Sequence, residues 1–165
     1  MVAETPHFGK PNSLDSLLMR KILCVDPGDV RIGIAVSDCT RTLARPLGII
    51  KHVSRSVDAE QIAAIAQQQD VDIIVIGQSR DDHGEPTIQG RKASRLAEQI
   101  AAVGGWKVVL WDEYESSQRA NQTLNRSIDR KHKKRVYIDD RAAAIILQDF
   151  LDRMNAGDEF YGGSI

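Results

Sequence analysis

The chain has 165 residues, 42% of them apolar and 27% charged, with a formal net charge of −1, which is the profile of a one-domain globular protein with enough apolar residues for a full core. Near-neutrality excludes a globally basic nucleic-acid binder but leaves a local basic patch open. No apolar run approaches the roughly 18 residues that a membrane span needs, and the N-terminus lacks a basic-then-apolar signal pattern, so a cytoplasmic protein with no membrane partner is expected. The two cysteines, Cys24 and Cys39, form no metal-type spacing and read as reduced thiols.

Residues 1–19 read as a disordered extension: the first twelve are polar with Pro6, Gly9 and Pro11, and Leu14, Leu17 and Leu18 fit one amphipathic turn. A single domain is expected over 20–154 and a Gly-rich flexible tail over 155–165. Strand one, Lys21 to Val25, is an unbroken apolar run of the kind buried on both faces. Asp26 stands at its end, and Pro27-Gly28 turns the chain. A carboxylate fixed there suits metal binding, although an Asp before Pro-Gly also fits a plain turn, the simpler reading of this stretch alone.

Strand two runs from about Arg31 to Ser37, with Ile32, Ile34 and Val36 on one face and Gly33 and Ala35 on the other. After a loop from Asp38 to Arg45, strand three covers about Pro46 to Val53, closing an antiparallel meander. Ser56 is expected to cap a helix with Asp58 and Glu60 in its first turn and Ile62, Ile65 and Ala66 as its apolar stripe. Strand four is Val71 to Ile76, ending at Gly77, and a polar, mobile loop follows from Gln78 to Pro86. Thr87 caps a long helix carrying Ala93, Leu96, Ala97 and Ile100, which Gly104-Gly105 ends. Strand five is about Lys107 to Trp111, and a short helix from Ser116 to about Leu124 is expected next. A last helix spans about Asp139 to Met154. Strands separated by helices pair in parallel through right-handed crossovers. The expected fold is therefore α/β: a mixed five-stranded sheet, three antiparallel strands and then parallel strands four and five, flanked by helices.

In such a sheet, ligands favour the carboxyl edge of strands one, four and five. Asp26 ends strand one there, and Asp112-Glu113 ends strand five. In the last helix Asp139 precedes Ala142, Ala143 and Ile146 by three, four and seven residues, which puts it on the buried stripe, whereas Asp140 lies about 100° round. Asp26, Glu113 and Asp139 are thus candidate catalytic and metal-binding acids, with Asp112 and Asp140 as adjoining ones. Clustered carboxylates repel unless a cation is shared, and an all-oxygen set favours Mg²⁺ or Mn²⁺; two such ions can drive phosphodiester cleavage. Taken singly, each acid also fits a strand end or a helix cap.

The stretch before the last helix carries Arg126, Arg130, Lys131, Lys133, Lys134 and Arg135 against the single acid Asp129. It reads as a phosphate grip beside the acids or as a solvated loop. Arg119 on the short helix, and Arg91, Lys92 and Arg95 on the long one, are further candidates. Tyr114 and Tyr137 are the plausible stacking aromatics. His52, His83 and His132 imply no nucleophile partner.

The segment Val25-Asp26-Pro27-Gly28-Asp29-Val30-Arg31-Ile32-Gly33-Ile34-Ala35-Val36-Ser37-Asp38 resembles the first motif of the YqgF/RuvX family. The resemblance continues in Val75-Ile76-Gly77, Trp111-Asp112-Glu113, Val136-Tyr137-Ile138-Asp139 and Ala142 to Leu147, covering about Arg20 to Leu151. These RNase H-like proteins were first named Holliday junction resolvases and are now regarded as pre-16S rRNA nucleases. The resemblance implies an RNase H-like domain with Asp26, Glu113 and Asp139 as the metal ligands and Arg31 as a motif arginine that holds substrate or the strand-one loop. It implies 5′-end maturation of pre-16S rRNA in ribosome biogenesis, with RNA on the small ribosomal subunit as partner and a monomer or weak homodimer as the working form. Holliday junction resolution on branched DNA and non-catalytic ribosome or RNA binding are the alternatives. Two departures stand out: Gln78-Ser79 replaces the family's usual Leu-Pro, and Tyr114 replaces the arginine that usually follows Asp-Glu, which loses a bidentate phosphate contact.

Overall fold

Ile22–Val25 and Ile73–Ile76 must hide side chains on both sides at once, and the chain meets that demand by laying the two segments side by side in parallel. The computed structural model describes residues 20–112 and 139–157, with 139 and 140 as helix backbone. The strands are β1 (Lys21–Pro27), β2 (Arg31–Ser37), β3 (Ala44–Lys51), β4 (Val71–Gln78) and β5 (Lys107–Asp112). The helices are α1 (Arg55–Gln68), α2 (Ile88–Val103) and α3 (Asp139–Ala156). One sheet has the order β3-β2-β1-β4-β5. β2 pairs antiparallel with β1 and β3, and β4 pairs parallel with β1 and β5. This is the mixed sheet expected from the sequence.

Strand alternation divides the core into two layers. Leu23, Val25, Ile32, Ile34, Val36, Ile74 and Ile76 face α1 and α2, where Ile62, Leu96 and Ile100 meet them. Ile22, Cys24, Ala35, Val75, Val109 and Trp111 face α3 through Ala143, Ile146, Leu147, Phe150 and Leu151. The split of β2 into Ile32/Ile34/Val36 against Ala35 is the one its sequence predicts. Each fully buried Leu or Ile contributes on the order of 1.5–3 kcal/mol relative to exposure.

Several boundaries differ from expectation, for local reasons. β1 continues two residues past Val25, because Asp26 and Pro27 pair with Gly33 and Ile32. β3 starts and ends two residues earlier than expected, since Ala44 already pairs with Ser37. The cap of α1 is Ser54, not Ser56: Ser54 is extended (φ −153°, ψ 158°) and its side chain accepts from Val57 N, which leaves Asp58 as the first-turn acid and puts Glu60 a turn further on. β4 ends at Gln78, because Gly77 and Gln78 still pair with Trp111 and Asp112. The stretch expected to be a mobile loop is tied down by an Arg80–Pro86 bridge and by the Arg80 guanidinium, which donates to Gly84 O at 2.8 Å. Asn155, assigned by sequence to the frayed tail, stays in α3 and donates from Nδ2 to Arg41 O at 2.9 Å. The expected extension over 1–19, the short helix from Ser116 and the tail beyond residue 157 lie outside the described residues.

Candidate active site

The carboxyl edge of the parallel strands is set by register. Val25 is level with Ile76 on β4, and Ile76 with Leu110 on β5. Asp26 therefore comes one residue further on, at the level of Gly77 and Trp111. Two strand spacings, about 9.5 Å, separate the lines of β1 and β5. Alternation decides the face. Ile22 and Cys24 belong to the α3 layer, so Asp26 projects to the α3 side; it is half-buried there.

α3 packs against that face, mostly over β2, β3 and β1. Its C-terminal end is fixed by Asn155 on Arg41 O, and Arg41 Nε in turn donates to Arg20 O at 2.8 Å, beside the start of β1. A rise of 1.5 Å per residue carries the first residue of α3 about 24 Å from Asn155, compared with about 20 Å for the length of β1. α3 is therefore long enough for its N-terminal end, at Asp139, to reach the edge that holds Asp26. Ala143 and Ile146, four and seven residues on, are buried, as the expected stripe requires, while Ala142 is half-buried.

The end of β5 is locked against the same helix. Trp111 Nε1 donates to Asp149 Oδ2 at 3.1 Å, its ring meets Phe150 edge-on at 5.1 Å, and the Arg153 guanidinium lies 5.4 Å from its centroid. The sequence shows none of these partners for Trp111. Asp112 takes the other face: it follows the α3-facing Trp111, and its Oδ2 is 3.9 Å from Arg80 Nε. Alternation thus sets Asp112 apart from Asp26.

The turn after Asp26 is closed by Gly28 N donating to Arg31 O at 3.0 Å. Any Cβ on Gly28 would sit 2.4 Å from that oxygen, so glycine is required here. The β1–β2 loop is thus closed through the main chain of residue 31. From α2, Gln89 Nε2 donates to Pro27 O at 2.7 Å and Lys92 Nζ lies 2.6 Å from Asp29 Oδ1. The hydrogen bond and charge of Lys92 hold the Asp29 carboxyl below the usual range.

Gln78-Ser79, the departure from the family pattern, links β4 to α2. Gln78 is buried; its Nε2 donates to Ser94 Oγ at 2.7 Å, and its Oε1 accepts from Arg80 at 2.9 Å. Ser79 Oγ lies 2.6 Å from Thr87 Oγ1, the cap of α2. Gly90 is needed for this approach, because a Cβ there would lie 2.1 Å from Ser79 O. A polar junction therefore does the joining that an apolar pair would do by packing.

Glu113, Tyr114, Arg119, Arg126, Arg130, Lys131, His132, Lys133, Lys134, Arg135 and Tyr137 lie outside the described residues, and Asp139 and Asp140 are described as backbone. Among the described residues no three His, Cys, Asp or Glu side chains cluster as a metal site. No helix among them is long and apolar enough to cross a membrane. The described site residues are thus Asp26 on the α3 side, Asp112 on the other, and Arg31 at the turn between β1 and β2.

The family model "RuvX: Holliday junction resolvase" matches residues 20–153. The chain belongs to the RuvX family. A RuvX-family relative from Thermoanaerobacter pseudethanolicus is 34% identical over 133 residues, 80% of this chain and 96% of its own length. One from Clostridioides difficile is 35% identical over 136 residues, 82% of this chain and 96% of its own. Both are described as "Putative pre-16S rRNA nuclease". Among solved structures, Thermus thermophilus RuvC in complex with Holliday junction substrate superposes with a TM-score of 0.54 at 12% identity, over 88% of this chain and 99% of that one. That likeness bears on the fold and agrees with the RNase H-like sheet expected for a RuvX-family chain.

Proposed function

We propose that this RuvX-family protein is a divalent-metal-dependent endonuclease that hydrolyses phosphodiester bonds in the 5′-end maturation of pre-16S rRNA, with Asp26, Glu113 and Asp139 as its catalytic acids. The observation that carries the reading is the position of Asp26, at a carboxyl strand end on the face that α3 covers. Sequence parity supports Glu113 as their companion, because it follows Val109 and Trp111, the α3-facing residues of β5.

The donor set fits a hard cation. Carboxylate oxygens suit Mg²⁺ or Mn²⁺, and like charges brought together need such a neutralising ion. When bound, it supplies an activated water at neutral pH and charge stabilisation for the leaving oxygen. Asp26, on a strand buried to its last turn, gives the site a rigid anchor. Arg31, Arg119, Arg126, Arg130, Lys131, Lys133, Lys134 and Arg135 would bind substrate phosphates, a sequence-independent contact that suits shape and backbone recognition. The relatives' names support pre-16S rRNA as the substrate; binding on the small ribosomal subunit, in the cytoplasm, as a monomer or weak homodimer, belongs to the same proposal.

The family model's own description favours a second reading, the four-way DNA junction. One assay separates them: labelled precursor rRNA and a four-way junction, each with Mg²⁺, Mn²⁺ or chelator. Metal-dependent cutting of the RNA alone supports rRNA maturation, and cutting of the junction by a dimer supports resolution. Tight RNA binding with no cleavage in either metal points to a non-catalytic binder and rejects the nuclease.

A further inference from the structure

On the α1/α2 side of the same edge, a cleft of about 340 Å³ opens between the β1–β2 turn, the end of β3 and the first turns of α1 and α2. It starts at Pro27, one residue after Asp26, but alternation turns it away from the acids. Its floor is apolar, formed by Ile32 and Leu96. Its rim is cationic: Arg55 from α1 and Arg95 from α2 converge on it from two helices. Both are exposed, and among the described residues neither has an ion-pair or hydrogen-bond partner. Lys92 is occupied by Asp29.

A third group on the rim is held in place. His52 Nδ1 donates to Asp58 Oδ2 at 2.6 Å, and Asp58 Oδ1 accepts from Val53 N at 3.1 Å. Asp58 is 2% exposed. A buried carboxylate spent on one ring nitrogen fixes the imidazole and leaves its Nε2 as the atom open to a ligand.

We propose that this cleft binds a phosphate-bearing nucleotide unit, with Arg55 and Arg95 on the phosphate, His52 Nε2 accepting from a sugar hydroxyl, and the cleft's apolar lining beside the sugar or base. The volume suits one nucleotide and is too small for a duplex. Two forked guanidinium groups suit phosphate oxygens. The unit belongs to a strand crossing the edge from the acids, or to a free mononucleotide. The strand form rests on the function proposed above; the cleft's phosphate chemistry does not.

The test is binding in chelator, where no cleavage intrudes. Wild type and the Arg55→Gln/Arg95→Gln double variant are titrated with a labelled single-stranded RNA twelve-mer at several salt concentrations, and by NMR with AMP and with adenosine. For a strand, the double variant should bind RNA roughly tenfold more weakly, with a log–log salt slope shallower by about 0.7, the value for one phosphate contact. For a free nucleotide, RNA binding should be unchanged while AMP shifts the Ile32 and Leu96 amides in wild type only. The proposal is overturned if neither RNA nor AMP responds to the double substitution, or if adenosine perturbs the cleft as strongly as AMP. Failure of wild type to bind any RNA would count against the nuclease reading and leave the AMP arm to decide the cleft. Melting temperatures should match, since both side chains are exposed.

Discussion

The two faces of the sheet meet at one carboxyl edge and are equipped differently. On the α3 side a single helix covers Cys24, Ala35 and Val75, and Asp26 stands at its open end. On the α1/α2 side two helices close a larger apolar layer, and the groups reaching the edge are cations and paired acids. The difference follows from the period of a β-strand: Val25 and Asp26 are neighbours in the chain but point to opposite sides of the sheet. The same edge can thus hold a metal-seeking carboxylate and a phosphate-seeking rim a few residues apart.

The largest effect that probes this division is catalytic. Asp26→Asn should keep the fold and the RNA affinity but lower cleavage by about 10³-fold or more, roughly 4 kcal/mol of transition-state stabilisation. Asp112→Asn, one strand end away but on the other face, should change the rate by less than about threefold. Equal losses in the two variants, measured in the same cleavage assay, would erase the distinction between faces. Next comes stability. Ile100→Ala and Leu147→Ala empty one fully buried site in each layer, and each should cost about 2–5 kcal/mol in urea unfolding. A cost under about 1 kcal/mol for Leu147 alone would mean that α3 is not docked as described.

The smallest effect lies at the opposite end of the sheet and serves as a control. The Asp38 carboxylate accepts from the Thr40 hydroxyl, from Leu43 N at 3.0 Å and from Thr42 N at 2.8 Å. These bonds, the Thr40 one first, hold its carboxyl down to about 2. A depressed folded-state value means that the stabilisation is present above pH 4 and disappears as pH falls towards 2. Asp38→Ala should therefore cost less than about 1 kcal/mol of stability at pH 7, because so open a site is well screened, and lower the melting temperature only slightly. Wild type and variant should converge near pH 2, with cleavage unaffected throughout. A gap that widens in acid would contradict this account of the loop.

The sheet was legible because its signals are strong and local. Continuous apolar runs at Ile22–Val25 and Ile73–Ile76 and strict alternation in Arg31–Ser37 specify burial and face directly, and Thr87 announces α2. The cap of α1 was misread because Ser54 and Ser56 are equivalent as residues, and only the backbone turn at Ser54 tells them apart. The face of Asp26 and the buried positions Ala143 and Ile146 of α3 could be placed from periodicity. The burial of Asp58 could not, because its reason is a contact with His52 six residues back and across a strand end, where no helical or strand period looks. Gln78 is a similar case. As sequence it departs from the family's Leu-Pro; only with Ser94 and Arg80 beside it does it become a junction.

The central claim is that Asp26, Glu113 and Asp139 share divalent ions. Calorimetric titration of the full chain with Mn²⁺, in wild type and in Asp26→Asn, Glu113→Gln and Asp139→Asn, addresses it most directly. The account predicts saturable binding in wild type and a clear loss of affinity in each of the three variants. Wild type that takes up no Mn²⁺, or variants whose isotherms overlay that of wild type, would contradict it.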